Sequence, residues 1–345
     1  MNTKAHAIQQ KAYELGYEKC GIIPLSYMHE FEAKLEERIQ KVSSSAGFYE
    51  RQKRLIDPRK DFPWAKSIVI VAESFGHYNI PRHLQGRIGR HYLFDTRVDE
   101  NTESFQAGLL FDAYLKSYGL QSVTERKFGL VGLRWAAMQA GLGIIRRNNF
   151  FYTQSGSWTT LYAWLIDEEL TLVEKDSLPQ CPPKCNRCID ACPTHSLSAP
   201  YTMNPLQCIS FLTTFGGRDL ANEPLSKNFG QCIYGCDICQ DVCPMNPKKL
   251  SSEKEFTALK ELEYFLSPEK IMEMDETFYR KNVQPKFFYL SPDELWKWKV
   301  NVLCFMQNNY QESYKPYIFK AYKSDNKKIQ EMARSVYDQL GLTNE

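Results

Sequence analysis

The chain has 345 residues, enough to bury more than one core, and its 43 lysines and arginines against 41 aspartates and glutamates leave a formal net charge of +2. That balance gives no global reason to expect a nucleic-acid or membrane surface. The N-terminal stretch MNTKAHAIQQKAYELGYEKCG has no apolar leader, and no run approaches the ~18 apolar residues of a membrane span, so the expected setting is cytoplasmic and reducing, where cysteines serve as thiolates and not as disulfides.

Residues 4–16 carry Ala5, Ile8, Ala12 and Leu15 at helical spacing before Gly16, which predicts an amphipathic helix with a glycine stop. A short strand from Cys20 to Ile23 follows, with Cys20 as a buried core residue. Residues 30–62 are charged and read as helix and loop, ending in RLIDPRKDFP. The β-branched run from Ser67 to Ser74, SIVIVAES, suits a strand buried on both faces.

Residues 76–100, including GRIGRHYLFD, lack periodicity; a loop that long inside a compact domain is usually functional or disordered. A helix ended by Gly119 is expected over 101–118 with Phe105, Leu109 and Ala113 on one face, then a short strand at QSVTE and a small-residue helix at 133–141. Gly141-Leu142-Gly143 breaks that helix and reads as a turn before it reads as a phosphate loop. A further strand is expected from Ser157 to Ile166.

Strands alternating with helices over 1–175 predict an α/β domain. EKDSLPQCPPKC marks its boundary with a cysteine-rich domain at 176–248, and after Pro247 the pattern changes again. Stripes at Leu259, Leu262, Phe265 and Leu266, at Leu295, Val302 and Phe305, and at Ile329, Ala333 and Val336 predict an all-α region at 249–345. Its lysines, Lys315, Lys320, Lys323, Lys327 and Lys328, read as a solvated face. The expected fold class is therefore α+β and multidomain.

Nine of the eleven cysteines lie between Cys181 and Pro244. Cys185-x2-Cys188-x3-Cys192-Pro193 and Cys236-x2-Cys239-x3-Cys243-Pro244 are both ferredoxin runs: the two-residue gaps aim neighbouring sulfurs at one cluster, and the cysteine before proline reaches the other. That crossed rule assigns Cys181, Cys185, Cys188 and Cys243 to one [4Fe-4S] cluster and Cys208, Cys236, Cys239 and Cys192 to a second. Zinc knuckles also use Cys-x2-Cys, but they have no reason to repeat the x3-Cys-Pro tail. Cys208 is isolated, and Cys232 competes with it for its place.

Several segments resemble the epoxyqueuosine reductases, cobalamin-dependent iron-sulfur enzymes related to reductive dehalogenases. They are AGLG from Ala140, GSW from Gly156, CPTHSLSAPYTMNPLQCISFLTT from Cys192, IYGCDICQDVCPMN from Ile233, and RLIDPRKDFPWAKSIV. The resemblance implies an N-terminal domain holding base-off cobalamin, a two-cluster ferredoxin module against the corrin, and a helical C-terminal part. The chain has no D-x-H-x-x-G motif for a lower histidine ligand, in keeping with that reading. By position, Arg54, Ser157, Ser210 and Asp237 resemble the family's corrin contacts.

The chain departs from the family where substrate and proton donor belong. The segment carrying the family's proton-donating aspartate reads RKFGLVGLRWA here, with Lys127 in roughly the acid's place, and GRHYLFDTRV replaces S-x-YA-x-G-x-DYH. GWIGK becomes Gly143-Ile144-Ile145-Arg146-Arg147, and the helical tail is short for the family's tRNA-holding array. Tyr92, Lys127 and Tyr152 are the replacement acids considered, and Arg90, Arg146 and Arg147 the clamps for an anion. The expectation is an oxidoreductase that receives electrons from ferredoxin or flavodoxin and passes them through two clusters to cobalamin. Its expected substrate is a small molecule, with an anion among the candidates and tRNA not favoured. The alternatives are an epoxyqueuosine reductase acting on tRNA, and an electron carrier that activates another protein's corrinoid.

Overall fold

A computed structural model of the chain describes residues 3–175, 177–215, 219–246 and 254–342. The expected boundaries at 176 and at 248 and 249, and Pro247, lie outside the described residues.

The N-terminal part runs α1 (Thr3–Glu14), β1 (Lys19–Pro24), α2 (His29–Lys41), α3 (Ala46–Gln52), β2 (Ser67–Ser74), α4 (Arg90–Leu93), α5 (Glu103–Ser117), β3 (Ser122–Val123), α6 (Leu133–Gln139), β4 (Ile144–Ile145), β5 (Phe151–Tyr152) and β6 (Thr159–Ile166). The main sheet has the order β1-β2-β6-β3. Its faces alternate residue by residue. Ile68, Ile70 and Ala72 of β2, with Leu161, Ala163 and Leu165 of β6, pack against Phe31 and Leu35 of α2 and Trp135 and Ala136 of α6. Val69 and Val71, with Tyr162, Trp164 and Ile166, pack on the other side against Ala5, Ile8 and Ala12 of α1 and Phe111 and Leu115 of α5. Both faces are covered, which is why Ile68 to Ala72 is apolar without interruption.

Every pairing in the sheet is antiparallel, Val69 opposite Trp164 and Cys20 opposite Val71, so the expected mix of strands and helices takes the form of a helix-covered antiparallel sheet. A continuous apolar run reports burial on two faces, not strand direction. One sequence expectation needs correction here. On α5, Leu109 is half exposed, and Gly108, Phe111 and Leu115 are the buried positions. Phe111 decides that rotation, since its ring meets Trp164 at 4.9 Å and Tyr17 at 5.8 Å.

The cysteine-rich part holds α7 (Arg187–Asp190), β7 (Leu197–Ala199), β8 (Thr202–Met203), α8 (Ile209–Leu212) and α9 (Ile238–Asp241). The C-terminal part holds α10 (Thr257–Lys260), α11 (Pro268–Glu273), α12 (Glu276–Phe278), α13 (Leu295–Asn308), α14 (Lys315–Tyr322) and α15 (Lys327–Leu340). One core joins these parts: Leu84, Leu93 and Phe94 of the 76–100 segment meet Ile233 and Tyr234, and these meet Trp298 and Leu303 of α13. Tyr234 stacks on Trp298 at 4.6 Å, and Asn301 of α13 donates to the Thr213 carbonyl at 2.8 Å. The helical part thus buttresses the back of the cysteine loops. Among the described residues no helix is long and apolar enough to cross a membrane.

Candidate active site and cluster-binding loops

All eleven cysteines are free thiols. Each ferredoxin run folds as a tight loop followed by a one-turn helix. The residue before the first cysteine of each run has positive φ, Lys184 at 60° and Gly235 at 82°. A Cβ on Gly235 would stand 2.4 Å from the Tyr92 ring, so only glycine fits that turn. The short helices α7 and α9 pack against one another, and each carries its run from one group of sulfurs to the other.

Two cavities separate the eight cysteines into quartets. Cys181, Cys185, Cys188 and Cys243 line a small one, together with Arg146 and Arg147. Cys192, Cys208, Cys236 and Cys239 form one wall of a cavity of about 390 Å³. Among the described residues no three His, Cys, Asp or Glu side chains converge to hold a single metal ion. Burial pushes the Cys188 and Cys208 thiols up to about 11, and neighbouring sulfurs of the same quartet push the same way. Cys208 stands with its quartet, whereas Cys232 lies behind Cys236 in the apolar core.

The opposite wall of the large cavity comes from the N-terminal part: His91, Tyr92 and Arg97 of the long irregular segment, Arg134 of α6, and Thr159, Thr160 and Leu161 at the start of β6. Ser157, Ser210 and Asp237 all line it. Ser157 is clamped by Asn246, whose Oδ1 accepts from its backbone N–H at 2.8 Å and whose Nδ2 donates to its hydroxyl at 3.0 Å. Ser210 shares a 2.8 Å hydrogen bond with the Tyr92 hydroxyl. Asp237 accepts from the Arg90 backbone N–H at 2.8 Å, and burial pushes its carboxyl up to about 6 against the pull of Arg90. Arg54 is exposed and lies outside the cavity lining.

The three proposed acids scatter. Tyr92 faces the cavity, with burial raising its phenol. Lys127 is exposed, its Nζ 5.6 Å from the Phe288 ring centre. Tyr152 is buried between the quartets: Asn148 Nδ2 donates to its hydroxyl at 2.9 Å and to the Cys239 carbonyl at 3.2 Å, and burial, then Cys243, raises its phenol.

The arginines expected to grip an anion are engaged elsewhere. Arg146 Nη1 lies 4.0 Å from Cys181 Sγ, Arg147 Nη1 donates to the Cys185 carbonyl at 2.6 Å, and Arg90 pairs with Asp237 and Asp241. Two groups not singled out from sequence occupy the cavity wall instead, Arg97 and Tyr289. Arg97 is held by Asp95 through Nε at 2.9 Å and Nη2 at 2.6 Å. Burial alone would raise Asp95 and lower Arg97, but their pairing outweighs it, holding the carboxyl below its usual range and the guanidinium above. His91, pushed down to about 4 by burial and by Arg97, is neutral, its Nε2 3.2 Å from Arg97 Nη2.

Comparison with known proteins sets this geometry in a family. A family described as "4Fe-4S double cluster binding domain" matches residues 180–246. An epoxyqueuosine reductase from Leadbetterella byssophila is 30% identical over 264 residues, covering 71% of this chain and 81% of that protein. One from Prochlorococcus marinus (strain NATL2A) is 32% identical over 171 residues, covering 49% of this chain and 53% of that protein. Among solved structures, an epoxyqueuosine reductase with an epoxyqueuosine-modified tRNA-Tyr stem loop superposes with a TM-score of 0.78 at 22% identity, over 98% of this chain and 90% of that one. The Streptococcus thermophilus epoxyqueuosine reductase gives 0.77 at 20% identity, over 100% and 92%. These likenesses bear out the mixed α and β fold with its ferredoxin-like part.

The same relatives overturn the expectation of a small substrate with tRNA disfavoured, since they are epoxyqueuosine reductases and one is seen with a tRNA stem loop. The physical basis of the error is visible: Arg90, Arg146 and Arg147, read as anion clamps, face carboxylates and the cysteine loops. With a relative 30% identical matched over 81% of its length, and the fold shared from end to end, the chain belongs to the epoxyqueuosine reductase family of oxidoreductases.

Proposed function

We propose that this chain reduces the epoxide of epoxyqueuosine in tRNA. The observation that carries the reading is the cavity of about 390 Å³, with one wall made by Cys192, Cys208, Cys236 and Cys239 and the other by the start of β6 and the 76–100 segment. Removing an epoxide oxygen to leave an alkene takes two electrons and two protons and releases water. A site for it must adjoin an electron carrier and supply protons.

The two quartets would hold [4Fe-4S] clusters, which carry electrons singly from a ferredoxin or flavodoxin. A cofactor in this cavity would be held by the fixed hydroxyls of Ser157 and Ser210 and by the Asp237 carboxylate, itself held by Arg90. Cobalamin, when bound, supplies a low-potential metal centre that transfers electrons to an electrophilic carbon. His91 lines the cavity with its Nε2 turned toward Arg97 and engaged there. Arg54, exposed, would contact the cofactor's side chains or the tRNA. On this reading residues 1–175 serve cofactor and substrate, 176–248 hold the clusters, and 249–345 give helical support.

Expression of this chain in a bacterium lacking its own epoxyqueuosine reductase should restore queuosine in tRNA, read by nucleoside mass spectrometry. Persistent epoxyqueuosine despite soluble, iron-loaded protein would count against the reading.

A further inference from the structure

A proton must reach the epoxide oxygen as its carbon–oxygen bond opens. Lys127, in the place of the family's aspartate, is exposed and does not line the cavity. Its loop is tied to the site by its backbone, for the Lys127 carbonyl accepts from Arg97 Nη1 at 2.5 Å. Arg97 is only 8% exposed, and beyond its hold on Asp95 it donates through Nη2 to the Tyr289 hydroxyl oxygen at 2.9 Å.

Tyr289 lines the same cavity. Its ring is fixed by stacking on Phe288 at 4.8 Å and Phe215 at 5.4 Å, and by the edge of Tyr92 at 5.6 Å. Because its oxygen accepts from the guanidinium, its O–H is left to donate, and among the described residues no acceptor takes it. The buried Arg97 guanidinium thus lies against the oxygen on which negative charge would develop as the proton leaves. Tyr92, by contrast, shares its hydroxyl with Ser210, and Tyr152 sits beside Cys243 and outside the cavity lining.

We propose that Tyr289 is the proton donor of this enzyme, with Arg97 and Asp95 as positioning residues that replace the family's aspartate. The inference rests on the epoxide-reducing function proposed above. In the step, the Tyr289 O–H bond breaks as the epoxide carbon–oxygen bond opens. The proton goes to the oxygen, the electrons come from the low-potential one-electron donor, and the phenolate stays paired with Arg97. Solvent then returns the proton to Tyr289 and supplies the second one needed to release water.

The test uses anaerobically purified holoprotein with cobalamin, dithionite and viologen as reductant, and an epoxyqueuosine-modified tRNA stem loop. Tyr289→Phe keeps the stacked ring, so kcat should fall by about 10²–10⁴-fold while stem-loop affinity and KM stay within about threefold. Arg97→Lys should lose less than Arg97→Met, and the double variant Tyr289→Phe/Arg97→Met should lose no more than Tyr289→Phe alone, as for groups acting as one unit. An active wild type whose Tyr289→Phe variant keeps kcat within about threefold would overturn the proton-donor assignment and leave the function standing. A double variant that multiplies the two losses would overturn the positioning role. A wild type that binds the stem loop, reduces its clusters and converts nothing would overturn the functional reading, and this inference with it.

Discussion

Replacing Lys286 by methionine should make the protein more stable at neutral pH and remove a stability gain at alkaline pH. Lys286 is 7% exposed; its Nζ reaches the Asp95 carbonyl at a long 3.4 Å and lies 4.7 Å from the Phe256 ring centre. Burial pushes its ammonium from 10.5 down to about 8, against the pull of Asp95 and Asp99. At about 1.36 kcal/mol per pH unit, keeping that charge buried costs the folded state on the order of 3 kcal/mol at neutral pH. Methionine fills a similar channel without charge. The lost hydrogen bond and ring contact offset about 1–2 kcal/mol, leaving a net gain of about 1–2 kcal/mol.

The sign with pH follows from proton binding. Between pH about 8 and 10.5 the unfolded chain holds the lysine proton more tightly than the folded one, so wild-type stability rises with pH in that window. Anaerobic urea unfolding, followed by tryptophan fluorescence at about pH 7 and about pH 9.5, should show the variant ahead at the lower pH and its lead reduced by about 2 kcal/mol at the higher. A variant less stable than wild type at neutral pH, or a difference that does not change with pH, would refute the reasoning.

Other outcomes follow from the same structure. Asp95→Asn strands the buried Arg97 cation and should cost about 3–5 kcal/mol by the same urea assay. Because the Asp95 carboxyl is held below its usual range, the wild-type pairing should contribute above pH ~4 and be lost as the pH falls through the lower folded value, a dependence the variant should lack. Cys243→Ala should lower iron from about eight to about four per chain and leave the same paramagnetic cluster signal as Cys181→Ala, whereas Cys192→Ala should leave the other signal; a match between Cys243→Ala and Cys192→Ala would break the crossed assignment. Gly141→Ala should destabilise by more than about 1 kcal/mol in the same unfolding assay, because φ there is +71° and a Cβ would meet the Glu174 carbonyl oxygen at 1.8 Å.

The double-cluster character of this segment was legible in the sequence because such ligation constrains residue spacing locally: Cys236, Cys239 and Cys243 stand on one loop and one turn of helix. The strand at Ser67–Ser74 was legible for the same local reason, but its direction was not, since direction depends on which segment pairs with it. The face of α5 failed because Leu109 and Phe111 are equally apolar; only the aromatic partners Tyr17 and Trp164, distant in the chain, choose between them. Arg97 and Tyr289 lie 192 residues apart, so no spacing could join them. Arginines misled most, because Arg146 beside a thiol and an arginine beside a substrate look alike in sequence.

The most direct test of the account is anaerobic turnover of purified, cluster-loaded protein with cobalamin, a low-potential reductant and epoxyqueuosine-modified tRNA, analysed by nucleoside mass spectrometry. The account predicts queuosine, lighter by one oxygen, formed only when cobalamin and reductant are both present. Unchanged epoxyqueuosine from protein whose clusters accept electrons and whose cavity binds cobalamin would contradict it.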